Sequence, residues 1–271
     1  MQSAAAVLEI IGKRGERGLP VERLYRQMFN PQLYLVAYGR IYANAGAMTP
    51  GVTGETVDGM SLAKIGAIID VLRRERYRWQ PVKRVYIPKK NGKRRPLGLP
   101  TWSDKLVAEV VRLLLEAYYE PQFSDRSHGF RPRRGCHTAL TEVVEVWKGT
   151  HWFIEGDISD CFGSLDHDLM IDILAEKIHD GRFLRLVDQM LKAGYLEDWR
   201  WHATLSGAPK AVSPHPSCPT STLIGSISLS NNGCCPSTTS AAVAGPTGLI
   251  KSWSTRSRRP NGTTSGTRRG N

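Results

Sequence analysis

Residues 82–100 read VKRVYIPKKNGKRRPLGLP, two strand-like arms on either side of an Asn-Gly pair. Asn-Gly between two such arms is the strongest short-range signal for a β-hairpin, because both residues tolerate the backbone angles of a tight turn. Pro100 closes the second arm. The pattern therefore predicts an antiparallel hairpin with its turn at Asn91 and Gly92.

The predicted hairpin is strongly basic. The cations that its arms and turn could direct at one phosphate-lined groove are Lys83, Lys89, Lys90, Lys93, Arg94 and Arg95. The alternative is a hairpin whose charges are simply solvated. The charges by themselves leave both interpretations open.

The chain as a whole is basic too. Its 271 residues include 37 Lys and Arg against 25 Asp and Glu, a net charge of +12, and 41% of them are hydrophobic. Such a charge favours nucleic acid or an anionic membrane surface as partner. The chain has no apolar run of membrane-spanning length, and residues 4–8 make a poor signal peptide. With five irregularly spaced Cys, these features predict a cytoplasmic nucleic-acid-binding protein with no membrane partner.

Helices and strands are mixed along the rest of the chain. Hydrophobic periodicity predicts short helices within residues 20–47, and longer ones over 62–72, from Ser103 onward, over 167–178 and over 182–193. Ser61 and Ser103 are the predicted N-caps, and Gly194 is the predicted C-cap of the last helix. Because helices and hairpins follow one another without strict βαβ alternation, the sequence predicts an α+β fold.

A third strand is predicted near the middle of the chain, where residues 152–162 read WFIEGDISDCF. It ends at Asp157, and a carboxylate at the end of a half-buried strand is a common ligand of the divalent metal in phosphoryl transfer. Capping and turn formation explain most such aspartates equally well. Asp157 is therefore a candidate metal ligand, with capping or turn formation as the alternative role.

A scatter of His and Cys residues, namely His128, Cys136, His137, Cys161 and His167, does not have the spacing of a zinc site. We expect these side chains to be packed or hydrogen-bonded.

Several stretches, in the right order, resemble motifs of the reverse transcriptases encoded by group II introns, the intron maturase family. Residues 86–101 are similar to the family's first fingers motif, residues 127–132 to its second, and residues 156–167 to its first palm motif. Residues 46–52 resemble the family's N-terminal extension. The likeness covers roughly residues 10–209.

The resemblance implies a right-hand polymerase of fingers, palm and thumb that copies RNA into DNA. It divides the chain into an N-terminal extension with the start of the fingers at 1–80, fingers at 81–150, a partial palm at 151–209 and a tail at 210–271. The partners implied are intron RNA, an RNA template with a DNA primer, and deoxynucleoside triphosphates.

The resemblance also implies roles for single residues. Asp157 would be the catalytic carboxylate and would hold Mg²⁺ together with the carbonyl of Ile158. Lys89, Arg95 and Lys83 would bind the triphosphate of the incoming nucleotide. Phe162 would pack under its sugar and exclude a 2′-hydroxyl.

For RNA, the expected contacts are Arg94 and a basic loop that carries Arg131, Arg133 and Arg134. The chain departs from the family at two positions: Gly163 stands where an Asp is usual, and Ala108 where a Gln is common.

Residues 207–271 differ from the rest in composition. They carry seven basic side chains and no acidic one, with 12 Ser and 9 Thr, and the last carboxylate side chain of the chain is Asp198. Such a segment buries too little apolar surface to offset the entropy cost of ordering. One interpretation is a disordered basic tail that binds phosphates.

A second interpretation is a change of reading frame after about Pro209, where the family continues with Gln-Gly-Gly and later a Tyr-x-Asp-Asp turn. When the last base of each codon is joined to the first two of the next, residues 209–213 permit Gln-Gly-Gly-Val and residues 219–224 permit Asn-Ile-Tyr-Leu-Asp, stretches typical of the family. We therefore expect residues 210–271 to be out of frame and the chain to lack polymerase activity. The alternatives are a non-catalytic RNA-binding maturase fragment and a non-functional pseudogene product.

Overall fold

The computed structural model describes residues 2–44, 46–88, 92, 94–129, 131–152 and 166–204. The helices are α1 (Ala4–Glu16), α2 (Leu24–Gln27), α3 (Pro31–Ile41), α4 (Leu62–Arg73), α5 (Trp102–Tyr119), α6 (Cys136–Val146), α7 (His167–Ala175) and α8 (Gly181–Leu191). The strands are β1 (Val82–Pro88), β2 (Arg94–Leu99), β3 (Tyr195–Glu197) and β4 (Arg200–His202). The predicted α+β class is confirmed.

Helix α5 forms the centre of the core, and 13 of its 18 residues are buried. Helices α1 and α3 pack directly against it. The approach of α1 is close because Gly15 has no side chain: a Cβ at this position would lie 2.0 Å from the carbonyl oxygen of Tyr118. Such a distance is far inside van der Waals contact, so the helix pair depends on glycine here.

One core joins parts of the chain that the sequence divides at residues 80 and 150. The same cluster of buried apolar residues holds Leu33 of α3, Val110 of α5 and Phe183 of α8. The described residues on both sides of the two boundaries are therefore packed together.

The helix starts follow local sequence signals. Ser61 caps α4 as predicted, because its hydroxyl accepts from the Lys64 N–H at 3.2 Å. The predicted cap at Ser103 is wrong: Thr101 caps α5 and accepts from the Asp104 N–H at 3.2 Å. The helix begins as soon as Pro100 ends the preceding arm, so Ser103 lies inside its first turn.

The four strands form one sheet in the order β2-β1-β3-β4. Strands β1 and β2 are antiparallel, which confirms the predicted hairpin, and Gly92 in its turn has φ +76°. Strand β3 runs parallel to β1 and pairs with β4 through a tight turn. The turn residues Asp198 and Trp199 both have positive φ, at +48° and +63°.

None of the described helices combines the length and the hydropathy needed to span a membrane.

Candidate nucleic-acid interface

The β1–β2 hairpin distributes its predicted site residues over two faces. Lys83 pairs with Leu99, and Arg95 pairs with Ile87, so Lys83 and Arg95 lie on the same face of the ladder. Arg94, paired with Pro88, lies on the other face. Because Lys83 and Ile87 are four residues apart, the two cations on the shared face are separated by about 13 Å along the strands.

The three predicted hairpin cations that the structure describes are accessible to an anionic ligand. Lys83, Arg94 and Arg95 are exposed, and no carboxylate of the described residues lies within ion-pair distance of them. Surface cations without an internal partner are the usual means by which proteins hold phosphates. The hairpin therefore presents uncompensated positive charge on both of its faces.

Arg84, in contrast, is neutralised within the sheet. Its guanidinium lies 3.3 Å from the Glu197 carboxylate and 3.4 Å from the centre of the Tyr195 ring. Glu197 also accepts a hydrogen bond from the Tyr86 hydroxyl, which, with the Arg84 charge, lowers the pKa of Glu197. These contacts hold β1 against β3 and leave Arg84 little capacity for a ligand.

The base of the hairpin is fixed by the buried carboxylate of Asp104. One oxygen accepts from the Tyr77 hydroxyl at 2.7 Å; the other accepts from the Gln80 N–H at 3.1 Å and the Thr101 hydroxyl at 2.8 Å. Tyr77 and Gln80 precede β1, and Thr101 follows β2. A single side chain thus ties both ends of the hairpin to the N-terminus of α5.

The segment that resembles the N-terminal extension motif packs beside this base. The ammonium of Lys105 donates to the carbonyls of Gly46 and Thr49, each at 3.2 Å. A Cβ at Gly51 would lie 2.7 Å from the backbone of Pro100, so glycine is required for the contact. The motif therefore supports the hairpin through the start of α5.

Glu55 strengthens the same junction. It accepts from the Ser103 backbone and hydroxyl and pairs with Lys64 at 2.8 Å. Burial of the carboxyl acts in the opposite direction, but these hydrogen bonds lower the pKa of Glu55. Sequence reasoning assigned no role to Asp104 or Glu55, since neither belongs to a motif and both act through contacts distant in sequence.

The arginines of the predicted RNA-binding loop differ in their surroundings. The side chain of Arg131 is only 6% exposed, pairs with Glu120 at 3.0 Å and donates to the carbonyls of Ser124 and Ser127. These bonds favour a role for Arg131 in holding the loop. Arg134 is occupied by Asp125, at 2.9 Å.

Arg133 is the loop arginine that faces solvent. It is exposed, has φ +59°, and makes no ion pair with a described residue. Of the three predicted loop contacts, Arg133 thus has the geometry that best suits RNA binding.

Two of the predicted histidines, His128 and His167, are hydrogen-bonded or buried. His128 contacts Glu142 at 2.7 Å and Thr138 at 2.9 Å through its two ring nitrogens, and His167 is buried at the start of α7. Within the described ranges, no three His, Cys, Asp or Glu side chains lie close enough together to hold a metal ion.

Four predicted site residues, Asp157, Ile158, Phe162 and Lys89, lie outside the described residues, as does Gly163. Ala108 is buried in α5 and offers no amide to a ligand.

A second basic surface was not singled out from the sequence. It is an open cleft between the end of α4 and the exposed side of α8, here named the α4–α8 cleft, and its lining includes Tyr25, Glu75, Arg78, Arg182, Arg185 and Gln189. The run RRERYR at residues 73–78 was a visible signal for it. The second half of the lining comes from a helix about a hundred residues later, which no local pattern links to that run.

Comparison with known proteins agrees with these features. The family "Reverse transcriptase (RNA-dependent DNA polymerase)" matches residues 87–210. The group II intron-encoded protein LtrA of Lactococcus lactis is 47% identical over 213 residues, covering 78% of this chain and 36% of that protein. The chain belongs to the group II intron reverse transcriptase and maturase family.

Two further relatives of this reverse transcriptase family member come from eukaryotes. An uncharacterized 91 kDa protein in a cob intron of Schizosaccharomyces pombe is 42% identical over 213 residues, covering 76% of this chain and 26% of that protein. The mitochondrial nuclear intron maturase 1 of Arabidopsis thaliana is 36% identical over 93 residues, covering 34% of this chain and 13% of that protein. The chain thus spans about a third or less of the length of these relatives.

The family match places the described site in context. It begins at Ile87, near the end of β1, and includes β2, α5 and the arginine loop. Arg94 and Arg95 of the hairpin therefore lie in the reverse transcriptase region, whereas Lys83 precedes it. Reverse transcriptases generally depend on a divalent metal, which neutralises charge on the reacting oxygens.

Proposed function

We propose that this member of the group II intron reverse transcriptase family binds RNA through its fingers hairpin and does not by itself synthesise DNA. The observation that carries the binding part is the set of exposed cations at Lys83, Arg94 and Arg95, which have no carboxylate partner among the described residues. Asp104 holds the hairpin from which they project. The proposed ligands are intron RNA and an RNA template with its primer.

The catalytic part of the proposal concerns Asp157. In the polymerase of this family, Asp157 and the Ile158 carbonyl would hold Mg²⁺, while Lys83, Lys89 and Arg95 would bind the triphosphate and Phe162 the sugar. The metal would supply charge neutralisation for an in-line attack on the triphosphate. The protein's own contribution is to position the nucleotide through the fingers cations.

The proposed lack of activity is supported by the composition beyond Asp198. No Asp or Glu occurs between residues 199 and 271, so the carboxylates of a Tyr-x-Asp-Asp turn are missing from the printed sequence. The proposal of a frame change after Pro209 is supported by the family match, which ends at residue 210. Residues 151–209 would then be a palm without its second metal-binding motif.

The binding proposal is tested with a fluorescein-labelled RNA template annealed to a DNA primer. The variant Arg94→Gln/Arg95→Gln removes two hairpin cations, and Lys13→Gln/Arg17→Gln, in α1 and at its C-cap, removes the same charge elsewhere. We expect the hairpin variant to lose about tenfold in affinity near 100 mM salt and to bind with a shallower salt dependence. Equal affinities of the two variants would contradict the proposal.

A further inference from the structure

The α4–α8 cleft brings three guanidinium groups to one concave surface. Arg78 follows α4, while Arg182 and Arg185 are three residues apart on α8 and therefore project from the same side of that helix. The cleft is open to solvent and has a volume of about 160 Å³. Its lining is mostly charged or polar, which suits an anion better than an apolar ligand.

The positive charge of the cleft is only partly compensated. Among the described lining residues Glu75 is the one carboxylate, at 3.5 Å from Arg182 and 3.9 Å from Arg185. Both arginine side chains are at least half exposed, at 50% and 63%. Ion pairs this long and this exposed contribute little, so an incoming phosphate would displace the carboxylate at small cost.

One of these cations, Arg182, is positioned by the ring of Tyr25. The Arg182 guanidinium lies 5.4 Å from the centre of the Tyr25 ring, and Tyr25 is fixed by hydrogen bonds to the Leu72 carbonyl and the Asp180 carboxylate. A guanidinium stacked on an aromatic ring loses less conformational entropy when it binds, and its planar fork matches a phosphate.

The cleft lining and the hairpin are close together along the chain. Arg78 is five residues from Lys83, a span of at most about 18 Å of extended chain. A polyanion longer than this span is long enough to contact both Lys83 and the cleft. A single nucleotide cannot occupy both positions, whereas an RNA strand can.

We propose that the α4–α8 cleft binds the phosphodiester backbone of RNA through Arg78, Arg182 and Arg185, with Glu75 as a competing internal anion. This rests on the proposed RNA binding and extends it to a surface separate from the hairpin. The cleft and the hairpin would act as two contact points on one RNA.

The test uses the full chain, the labelled template–primer described above and a salt titration. Arg182→Gln/Arg185→Gln is expected to lower affinity about tenfold and to reduce the slope of log affinity against log salt by roughly 1.5, since each phosphate contact contributes about 0.7–0.9. Glu75→Gln is expected to act in the opposite direction and to raise affinity about threefold, because it removes the competing charge.

Lys13→Gln/Arg17→Gln serves as the charge-matched control, and thermal unfolding checks that each variant is folded. If the cleft variant and the control bind equally while the hairpin variant is weakened, the cleft proposal is overturned and hairpin binding stands. If the cleft variant alone is weakened, the cleft proposal stands and hairpin binding fails. Absence of RNA binding by the unmodified chain overturns both proposals. Displacement of the RNA from the cleft by equimolar deoxynucleoside triphosphate overturns the assignment of the cleft to the RNA backbone.

Discussion

Asp104 shows how one buried carboxylate determines the position of a functional element. It accepts hydrogen bonds from Tyr77 and Gln80 before β1 and from Thr101 after β2. Burial raises the pKa of Asp104, although the hydrogen bonds act in the opposite direction. Burial of this carboxylate is unfavourable, but its hydrogen bonds fix the base of the hairpin.

We expect Asp104→Asn to lower the free energy of unfolding by about 1–3 kcal/mol, because the amide cannot accept from all of these donors. The raised pKa means that the folded state binds the proton more tightly than the unfolded state. The stability of the unmodified protein therefore falls as pH rises through the titration of this carboxyl.

The asparagine side chain of the variant Asp104→Asn does not titrate. The difference in free energy of unfolding between the unmodified protein and this variant should therefore become smaller as pH rises. Urea unfolding at several pH values between about 4 and 7 measures it. A difference that widens with rising pH would show that the pKa of Asp104 is lowered in the folded state.

Single residues also show the limits of sequence reasoning. Arg131 and Arg133 look alike in a basic loop, yet the Arg131 side chain is largely covered and has three partners, whereas Arg133 is exposed. The difference arises because Glu120, at the end of the preceding helix, forms an ion pair with Arg131. No local pattern indicates which arginine a distant carboxylate will meet.

At the scale of elements, the α1–α5 contact is set by Gly15. We expect Gly15→Ala to destabilise the fold by about 1–3 kcal/mol, since the new methyl would overlap the Tyr118 carbonyl and push the helices apart.

Gly66→Ala in α4 is the matched control. Nothing lies within 4 Å of a Cβ at Gly66, so the same change should stabilise α4 by roughly 0.5–1 kcal/mol through helix propensity. Thermal unfolding of both variants provides the measurement. Equal shifts in the same direction would contradict the close packing of α1 on α5.

The elements that the sequence predicted are those with strong local signals. The hairpin has Asn-Gly, and α4 has a serine cap with a clear apolar stripe. The β3–β4 hairpin was missed because its turn, Asp198-Trp199, adopts positive φ without a glycine. Helix α6 was missed although Leu140, Val143 and Val144 recur at helical spacing, and all three are exposed within the described part of the chain.

At the scale of the whole molecule, the net charge of +12 divides unequally. Seven of the basic side chains lie in residues 207–271, which the proposed frame change makes an accident of translation. The nucleic-acid interpretation then depends on the hairpin and the α4–α8 cleft, where the structure places exposed cations. The family match ending at residue 210 fits the same division.

The most direct test of this account is primer extension on an RNA template with Mg²⁺ and deoxynucleoside triphosphates. A protein translated from the gene with one nucleotide restored at the Pro209 codon serves as comparison, and its Asp157→Ala variant serves as the inactive control. We expect the 271-residue protein to bind the template–primer without extending the primer, and the frame-restored protein to extend the primer. Mg²⁺-dependent primer extension by the 271-residue protein would contradict the account.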